Sequence, residues 1–266
     1  MTFPYSVTRR EAIRIGGAAL FLVPWKAAGD DQAIEFIAVN DTHYIDDECR
    51  AFQANVIRRM RADAPKAAFV CHAGDVSDRG TADALKAMRE LYSEAGLPFH
   101  PVPGNHDFVI STDRSGYDAV FPGKLNYTFT QAGWQFIAID STQGTAYDVT
   151  MVSGKTLAWL DEQARTLDPK LPTFVFTHFP LGNGVDMRPL NAEAVIERLV
   201  KLNLKWVHSG HWHGESENPI GNAKLTTSRC CARLRTNRDG SSLKGWHVYR
   251  ASGDGLLSRR FVSLSA

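Results

Sequence analysis

The sequence predicts an α/β fold in which two mixed β-sheets pack together and helices cover the outside. Three observations point there. Between residues 34 and 207, short apolar and β-branched runs alternate with stretches of helical periodicity. Within that alternation two runs, 126–130 and 134–140, flank Gln131-Ala132-Gly133 as the arms of a hairpin flank its turn. After His213, strand-like runs at 223–227, 246–250 and 260–264 follow with no helical stretch between them.

Each element has its own signal. Ile34–Asn40 mixes apolar and β-branched residues and reads as a strand. Residues 47–62 place Phe52, Val56, Ile57 and Met60 at helical spacing. Ala67–His72 is a second strand. Thr81 is placed to cap a helix whose stripe is Leu85, Met88, Leu91 and Tyr92, and Gly96 stops it. Pro98–Val102 is a third short strand. Leu157, Leu160, Ala164 and Leu167 mark a helix, and Thr173–Phe176 a strand. Residues 191–203 read as helix, with Trp206-Val207 opening the next strand. No repeat, low-complexity tract or internal linker stands out.

Composition bounds the function. Hydrophobic residues make up 44% and charged residues 22%, enough apolar material to bury one large core. The net charge is +1, so no obligatory nucleic-acid or anionic-membrane partner is indicated. The N-terminus stands apart. A basic stretch containing Arg9, Arg10 and Arg14 precedes an uncharged run from Ile15 to Trp25 and then the small residues Ala27, Ala28 and Gly29. The run is shorter than the ~20 residues a membrane-spanning helix needs. The layout is that of an export signal, and the paired arginines resemble a bacterial twin-arginine signal. Residues 1–29 are therefore expected to direct export to an extracytoplasmic, periplasmic location and to be removed near Gly29. Residues 30–266 are expected to form one catalytic domain with no stable membrane insertion. The first segment carries +3, which leaves −2 for the rest. Of four cysteines, Cys71 reads as a small core residue. Whether Cys230 or Cys231 bridges Cys49 is left open by the sequence, as is the oligomeric state.

Five polar motifs share one structural address. Asp41-Thr42-His43, Gly74-Asp75-Val76-Ser77-Asp78-Arg79-Gly80, Gly104-Asn105-His106-Asp107, Thr177-His178 and Gly210-His211-Trp212-His213 each follow a strand. Ligands bind outside the carboxyl ends of strands in open α/β sheets, so the five are expected to converge on one cleft. Carboxylate, amide oxygen and imidazole suit manganese, iron or zinc, and no thiolate belongs to the set. Asp-x-His and His-x-His place two side chains on one side of an extended segment, so each pair is expected to grip one ion. Glycines 74, 104 and 210 permit close backbone approach. Asp41 as a cap, Asn105 as a turn residue and His178 as a core histidine are the plain alternatives for single residues.

The ordered set D-x-H, G-D-x-x-D-R-G, G-N-H-D, H and G-H-x-H resembles the calcineurin-like metallophosphoesterase family over about Ile34 to His213. The overall plan is similar to its small bacterial, cyclic-nucleotide phosphodiesterase-like members. The resemblance implies a four-layer αββα sandwich and a dinuclear, metal-dependent phosphoric ester hydrolase. It implies two divalent transition metal ions (Mn, Fe or Zn) that bind and acidify a bridging hydroxide for in-line attack on phosphorus. Asp41, His43 and His213 look like ligands of the first ion, Asp75 like the bridge, and Asn105, His178 and His211 like ligands of the second. His106 is similar to the family's non-ligand histidine beside the leaving group. Asp78 and Arg79 match positions that, in the protein phosphatase branch, orient that histidine and contact phosphate; a surface ion pair is their plain alternative.

The substrate is expected to be a small phosphodiester or phosphomonoester, a cyclic nucleotide among the options. The Asp-Arg-Gly ending also resembles phosphoprotein phosphatases, which usually carry G-N-H-E. Purple acid phosphatases carry a tyrosine where Asp78 stands, so an Fe(III)–tyrosinate pair is disfavoured. A nuclease is disfavoured by the −2 balance and the lack of a Lys/Arg cluster. A metal-free binding scaffold on the same fold is the reading from a different class. His72, His100, His208 and His247 lack a motif and are expected to be structural, while Trp212 and Phe179 either line the substrate pocket or pack beneath the metals. Arg233 and Arg235 in the tail are not assigned to the site; facing the cleft is their alternative. The 108–125 and 181–190 loops and the tail are expected to set the leaving group.

Overall fold

A computed structural model describes residues 33–264. The proposed export signal, residues 1–29, lies outside the described residues. Strand β1 (Ile34–Val39) leads through helix α1 (Asp47–Asp63) to β2 (Ala67–Ala73), and helix α2 (Ala82–Glu94) leads on to β3 (Phe99–Val102). Side-chain caps start both helices: Asp46 accepts from Cys49 N, and Thr81 accepts from Ala84 N. A single 3₁₀ turn, Asn105–Asp107, and a short helix α3 (Ser115–Val120) follow. Next come the hairpin strands β4 (Tyr127–Gln131) and β5 (Trp134–Ile139), helix α4 (Gly154–Thr166), β6 (Pro172–Thr177), helix α5 (Ala192–Leu199) and β7 (Asn203–Ser209). The tail contributes β8 (Ser216–Ile220), β9 (Ala223–Thr227), β10 (Gly245–Ala251) and β11 (Leu257–Ser263).

The strands form two sheets, ordered β11-β10-β1-β2-β3 and β4-β5-β6-β7-β9-β8. β1, β2 and β3 are parallel, as are β5, β6, β7 and β9, while β10, β11, β4 and β8 pair antiparallel. Between the sheets lies an aromatic core of Phe36, Phe69, Trp134, Phe136, Phe174, Phe176, Trp206 and Tyr249. Phe36 is its hub: its ring stacks on Phe69 and Tyr249 at 5.2 Å each and meets Phe174 edge-on at 4.9 Å. One outer core joins the first sheet to α1, α2 and α3 through residues such as Ile57, Leu85 and Tyr117. Another joins the second sheet to α4 and α5 through Leu160, Val195 and Leu199. The result is the four-layer αββα arrangement.

Four elements differ from the sequence reading. Helix α5 ends at Leu199 because β7 begins at Asn203, paired with Pro172. The apolar residues Leu202 and Leu204 fit either period, so helical spacing overran the boundary. Helix α3 has six residues and β8 is a polar edge strand containing Pro219, so neither carries a periodic signal. The hairpin turn has two residues, not three. Gln131 pairs with Trp134, and Ala132 and Gly133 both have positive φ, as the tightest hairpins require. All four cysteines are free and buried, so Cys49 bridges neither Cys230 nor Cys231.

Because Phe36 is fully buried between both sheets, Phe36→Ala is expected to cost about 3–5 kcal/mol in urea denaturation. Leu256→Ala, at a residue 67% exposed, is the control and should change stability by less than about 0.5 kcal/mol. Equal stability of the two variants would remove Phe36 as the hub.

Candidate metal centre

The five motifs are laced together by backbone hydrogen bonds before their side chains meet. Asp41 N donates to Gly74 O, His43 N to Asp75 O and Tyr44 N to Val76 O, tying the first motif to the second. His106 N donates to Asp75 Oδ1 at 2.8 Å, which ties in the third. Gly210 N donates to His178 O, and His211 N donates to Asp41 Oδ2 at 2.9 Å, closing the ring of loops. Asp107 is the concealed fastener. Its buried carboxylate accepts from Val76 N, Ser77 N, Ser77 Oγ and Gly104 N at 2.8–3.1 Å, so the third motif is clamped to the second.

Among the described residues three compact groups of donors result. Asp41, His43 and His213 form one and Asp75, His178 and His211 a second; His43, Asp78 and His106 form a third that shares His43 with the first; within each, the donor atoms lie within 4.8 Å of one another. Asp75 faces the first two. Its Oδ2 is 3.5 Å from His43 Nε2 and its Oδ1 is 3.5 Å from His178 Nε2. Asn105 Oδ1 lies 3.2 Å from His178 Nε2, on the side of the second group. All seven expected ligands are therefore brought together.

Every imidazole of the set is held by one nitrogen and leaves the other toward its group. His43 Nδ1 donates to Asp78 Oδ1 at 3.0 Å. His178 Nδ1 donates to Ala73 O at 2.9 Å, His213 Nδ1 to Thr236 O at 3.2 Å, and His211 Nε2 to Tyr147 O at 2.7 Å. A carbonyl or carboxylate can only accept, so these partners fix the tautomers. The opposite nitrogens of His43, His178 and His211 are left as lone pairs, while His213 Nε2 faces the Asp41 carboxylate and gives up a proton before it can ligate; His43 Nε2 and His213 Nε2 stand 3.3 Å apart, and His178 Nε2 and His211 Nδ1 3.1 Å apart. Anchoring of this kind is what metal-ligating histidines require.

The carboxylates carry the same message. Asp41 Oδ1 is buried and has only an imidazole, His213 Nε2 at 3.2 Å, to meet it, while its Oδ2 accepts from Asn40 Nδ2 and His211 N. A buried carboxylate oxygen is costly unless a donor or a cation meets it. Burial raises the Asp41 carboxyl, but His213, then His178 and His43, override it and hold it well below the carboxylate range. Burial pushes His213 down, but the Asp41 carboxylate 3.2 Å away lifts it to about 11. Asp75 is also lowered: burial raises it, and His178, His43 and His106 outweigh burial. Burial, then the neighbouring His178, depresses His211 to about 4. Two buried carboxylates, an amide oxygen and four anchored imidazoles fit two divalent transition ions.

The geometry revises the extended-segment argument. Asp41, His43, Asp75, His211 and His213 all have φ between 44° and 64°. They lie in the left-handed region, where the chain bends sharply at each strand end. Asp41 and His43 do share a group, but His211 and His213 divide between the two, so the His-x-His pair does not grip one ion. The glycines act as expected at Gly210, where a Cβ would sit 2.6 Å from Asp41 Oδ2, and at Gly104, where it would overlap Asp75.

Outside the first two groups, His106 is half-buried. Its Nδ1 donates to the backbone carbonyl of Asp78 at 3.1 Å and its Nε2 is free. The Asp78 carboxylate accepts from His43 Nδ1 and stands 3.6 Å from His106 Nδ1, so it anchors the His43 ring while the Asp78 backbone carbonyl anchors the His106 ring. Arg79 is exposed and makes no hydrogen bond or ion pair among the described residues, whereas Arg235 from the tail contacts Asp78 Oδ1. Arg233 pairs with Glu48 instead. Phe179 is fully buried with its ring 4.0 Å from that of His211, so it packs beneath the site; Trp212 is partly buried with its ring against Gly214. His72, His208 and His247 are buried and bonded to Thr42, Tyr249 and Ser228, and His100 stacks on Phe129. The anchors that sequence reasoning missed are the carbonyls of Ala73, Tyr147 and Thr236, which every residue type possesses. Asp107 stood in a recognised motif, and its clustering with Asn105 and His106 was the available signal.

The chain is 28% identical over 169 residues to a probable glycerophosphodiester phosphodiesterase, GpdQ, of Arcobacter nitrofigilis, covering 60% of this chain and 61% of that protein. It is 24% identical to the 3',5'-cyclic adenosine monophosphate phosphodiesterase CpdA of Escherichia coli, over 85% of this chain and 88% of that one. Among solved structures, a dimetal phosphatase from Danio rerio superposes with a TM-score of 0.63 at 15% identity, covering 81% of this chain and 92% of that chain, and so shares the fold. Residues 34–215 match the family model described as calcineurin-like phosphoesterase, and the chain belongs to that family.

Proposed function

We propose that the chain is a dinuclear metal-dependent hydrolase of a small phosphodiester. One observation carries this reading: the Asp75 carboxylate turns one oxygen to each of two donor groups whose histidines are each anchored through one ring nitrogen with the other facing the group. Asp41, His43 and His213 would hold one ion, Asn105, His178 and His211 the other, with Asp75 between them. When bound, two such ions supply Lewis acidity at phosphorus and neutralise charge on the phosphoryl oxygens. The chain itself manages the proton. With Nδ1 committed to the Asp78 carbonyl, His106 is left with Nε2 as the atom that carries the transferable proton. That proton serves the departing oxygen. Asp78 also fixes His43, which couples the acid to the first ion.

Both reported relatives are described as phosphodiesterases of small molecules, which supports a diester over a monoester and over phosphoprotein. The near-neutral charge of the chain supports a small substrate over nucleic acid. Manganese, iron and zinc all suit the donor set. Export through residues 1–29 belongs to the same proposal; among the described residues, no helix is long and apolar enough to cross a membrane.

Three experiments test the reading. The purified chain, loaded in turn with Mn, Fe and Zn, is assayed on a phosphomonoester, an acyclic phosphodiester, cyclic nucleotides and a phosphopeptide. Diester hydrolysis is expected to lead, and inactivity throughout with no bound metal would leave the scaffold reading. His106→Asn is expected to lower kcat by about 10²–10⁴-fold while both ions stay bound; normal turnover with full metal content would dismiss His106 as the acid. Because Asp41 lifts His213 to about 11, metal must displace a proton from His213 at any lower pH. Apparent affinity in chelator competition should therefore rise by about tenfold per pH unit between pH 6 and 8. A flat profile would show that His213 gives up no proton to the metal.

A further inference from the structure

Between β9 and β10 the chain runs through residues 228–244 without regular secondary structure. Irregular stretches of this length inside a compact domain are usually functional. This one is pinned along its length. Cys231 N donates to Asn40 O, Cys230 N to Asn237 Oδ1 at 3.0 Å, and Arg229 Nε to Asp239 Oδ2 at 2.8 Å. Lys244 Nζ holds the Arg235 carbonyl. Near its centre the loop meets the metal centre at three successive points. The Arg235 guanidinium contacts Asp78 Oδ1, the Thr236 carbonyl accepts from His213 Nδ1 at 3.2 Å, and Arg238 N donates to His213 O at 2.9 Å.

We propose that Arg235 is a positioning residue of the metal centre: it fixes the Asp78 carboxylate, and that carboxylate in turn fixes the ring of His43. The proposal rests on the two-ion reading above. An exposed ion pair ordinarily contributes little. Here the same carboxylate oxygen takes both the Arg235 guanidinium and the His43 Nδ1–H, so the arginine sets where the histidine's hydrogen-bond acceptor stands. Asp78 is the more enclosed partner, its side chain 15% exposed against 39% for Arg235, so the arginine closes the solvent side of the pair. Arg79, its neighbour in the recognised motif, makes no such contact.

The loop acts on one group only. Through Arg235 and Thr236 it orients His43 and His213, the two histidines grouped with Asp41. The second group is oriented from elsewhere, His178 by Ala73 and His211 by Tyr147. Loss of Arg235 should therefore loosen one ion and spare the other.

The test starts from the manganese-loaded, full-length protein and compares it with Arg235→Ala and Arg235→Lys by equilibrium dialysis against graded chelator, counting ions per chain. Outer partners of metal ligands typically contribute about 10–100-fold in affinity. Arg235→Ala is expected to release one of its two ions at free manganese about 10–100-fold above the parent's, with the other ion unchanged. The metal-free Tm should stay at the parent value, and Arg235→Lys should recover part of the loss. A release curve identical to the parent's overturns the proposal. Equal weakening of both ions with a lower metal-free Tm overturns it too, by making the role structural. Unchanged metal binding with lost turnover reassigns Arg235 to substrate contact. A parent that binds no metal overturns the two-ion reading itself, a result distinct from all of these.

Discussion

Two carboxylates, Asp41 and Asp75, are buried side by side without a lysine or arginine partner among the described residues. Uncompensated burial of one ionised carboxylate costs several kcal/mol after relaxation, and two adjacent ones repel each other as well. Much of the local architecture answers that cost. Backbone N–H groups of His106 and His211 donate to the two carboxylates, the Asn40 amide donates to Asp41, and four histidines turn toward them. At Asp41 Oδ1 what the protein supplies is one imidazole, His213. Divalent cations bound between the two groups would complete the set.

The scaffold has to tolerate an unusual backbone to achieve this. Five of the seven candidate ligands adopt left-handed φ, a conformation that costs a residue with a Cβ about 1–2 kcal/mol. Asp and His visit that region more readily than β-branched residues do, which is one reason these side chains suit the strand ends. The strain is carried by what lies beneath. Phe36, Phe69, Phe174 and Tyr249 lock the two sheets face to face through stacked and edge-on rings, so the ends of β1, β2, β6 and β7 are fixed in relation to each other. Rigid sheets then let short loops hold strained positions that a mobile scaffold would relax.

This division explains what could be read from the sequence. Long periodic elements were legible: α1, α2, α4 and the strands of the parallel cores follow from apolar spacing and caps such as Thr81. The motif residues were legible because donor chemistry restricts each position to Asp, Asn or His. Three features were not. Helix α5 and β7 share an apolar run that fits both periods. The positive φ of Asp41 and His213 leaves no mark on a non-glycine residue. And the carbonyls of Ala73, Tyr147 and Thr236 that fix the histidine tautomers are backbone atoms, so no residue type advertises them. Arg235 belongs with these. Its contact with Asp78 spans 157 residues of sequence and depends on how one irregular loop folds back.

The same reasoning separates the reaction from its specificity. Chemistry at phosphorus needs particular donor atoms at particular places, so it constrains residue identity tightly. Recognition of a leaving group needs only a surface of suitable shape, which many side chains can build. Tyr147 shows both demands at one residue: its carbonyl orients His211, while its side chain belongs to a residue 64% exposed. Substituting Tyr147 would keep the carbonyl and change the surface. Val109 and Ile110, just after His106, are likewise exposed at 45% and 69%. Selection can therefore vary the neighbourhood of the acid and of the second donor group without disturbing either.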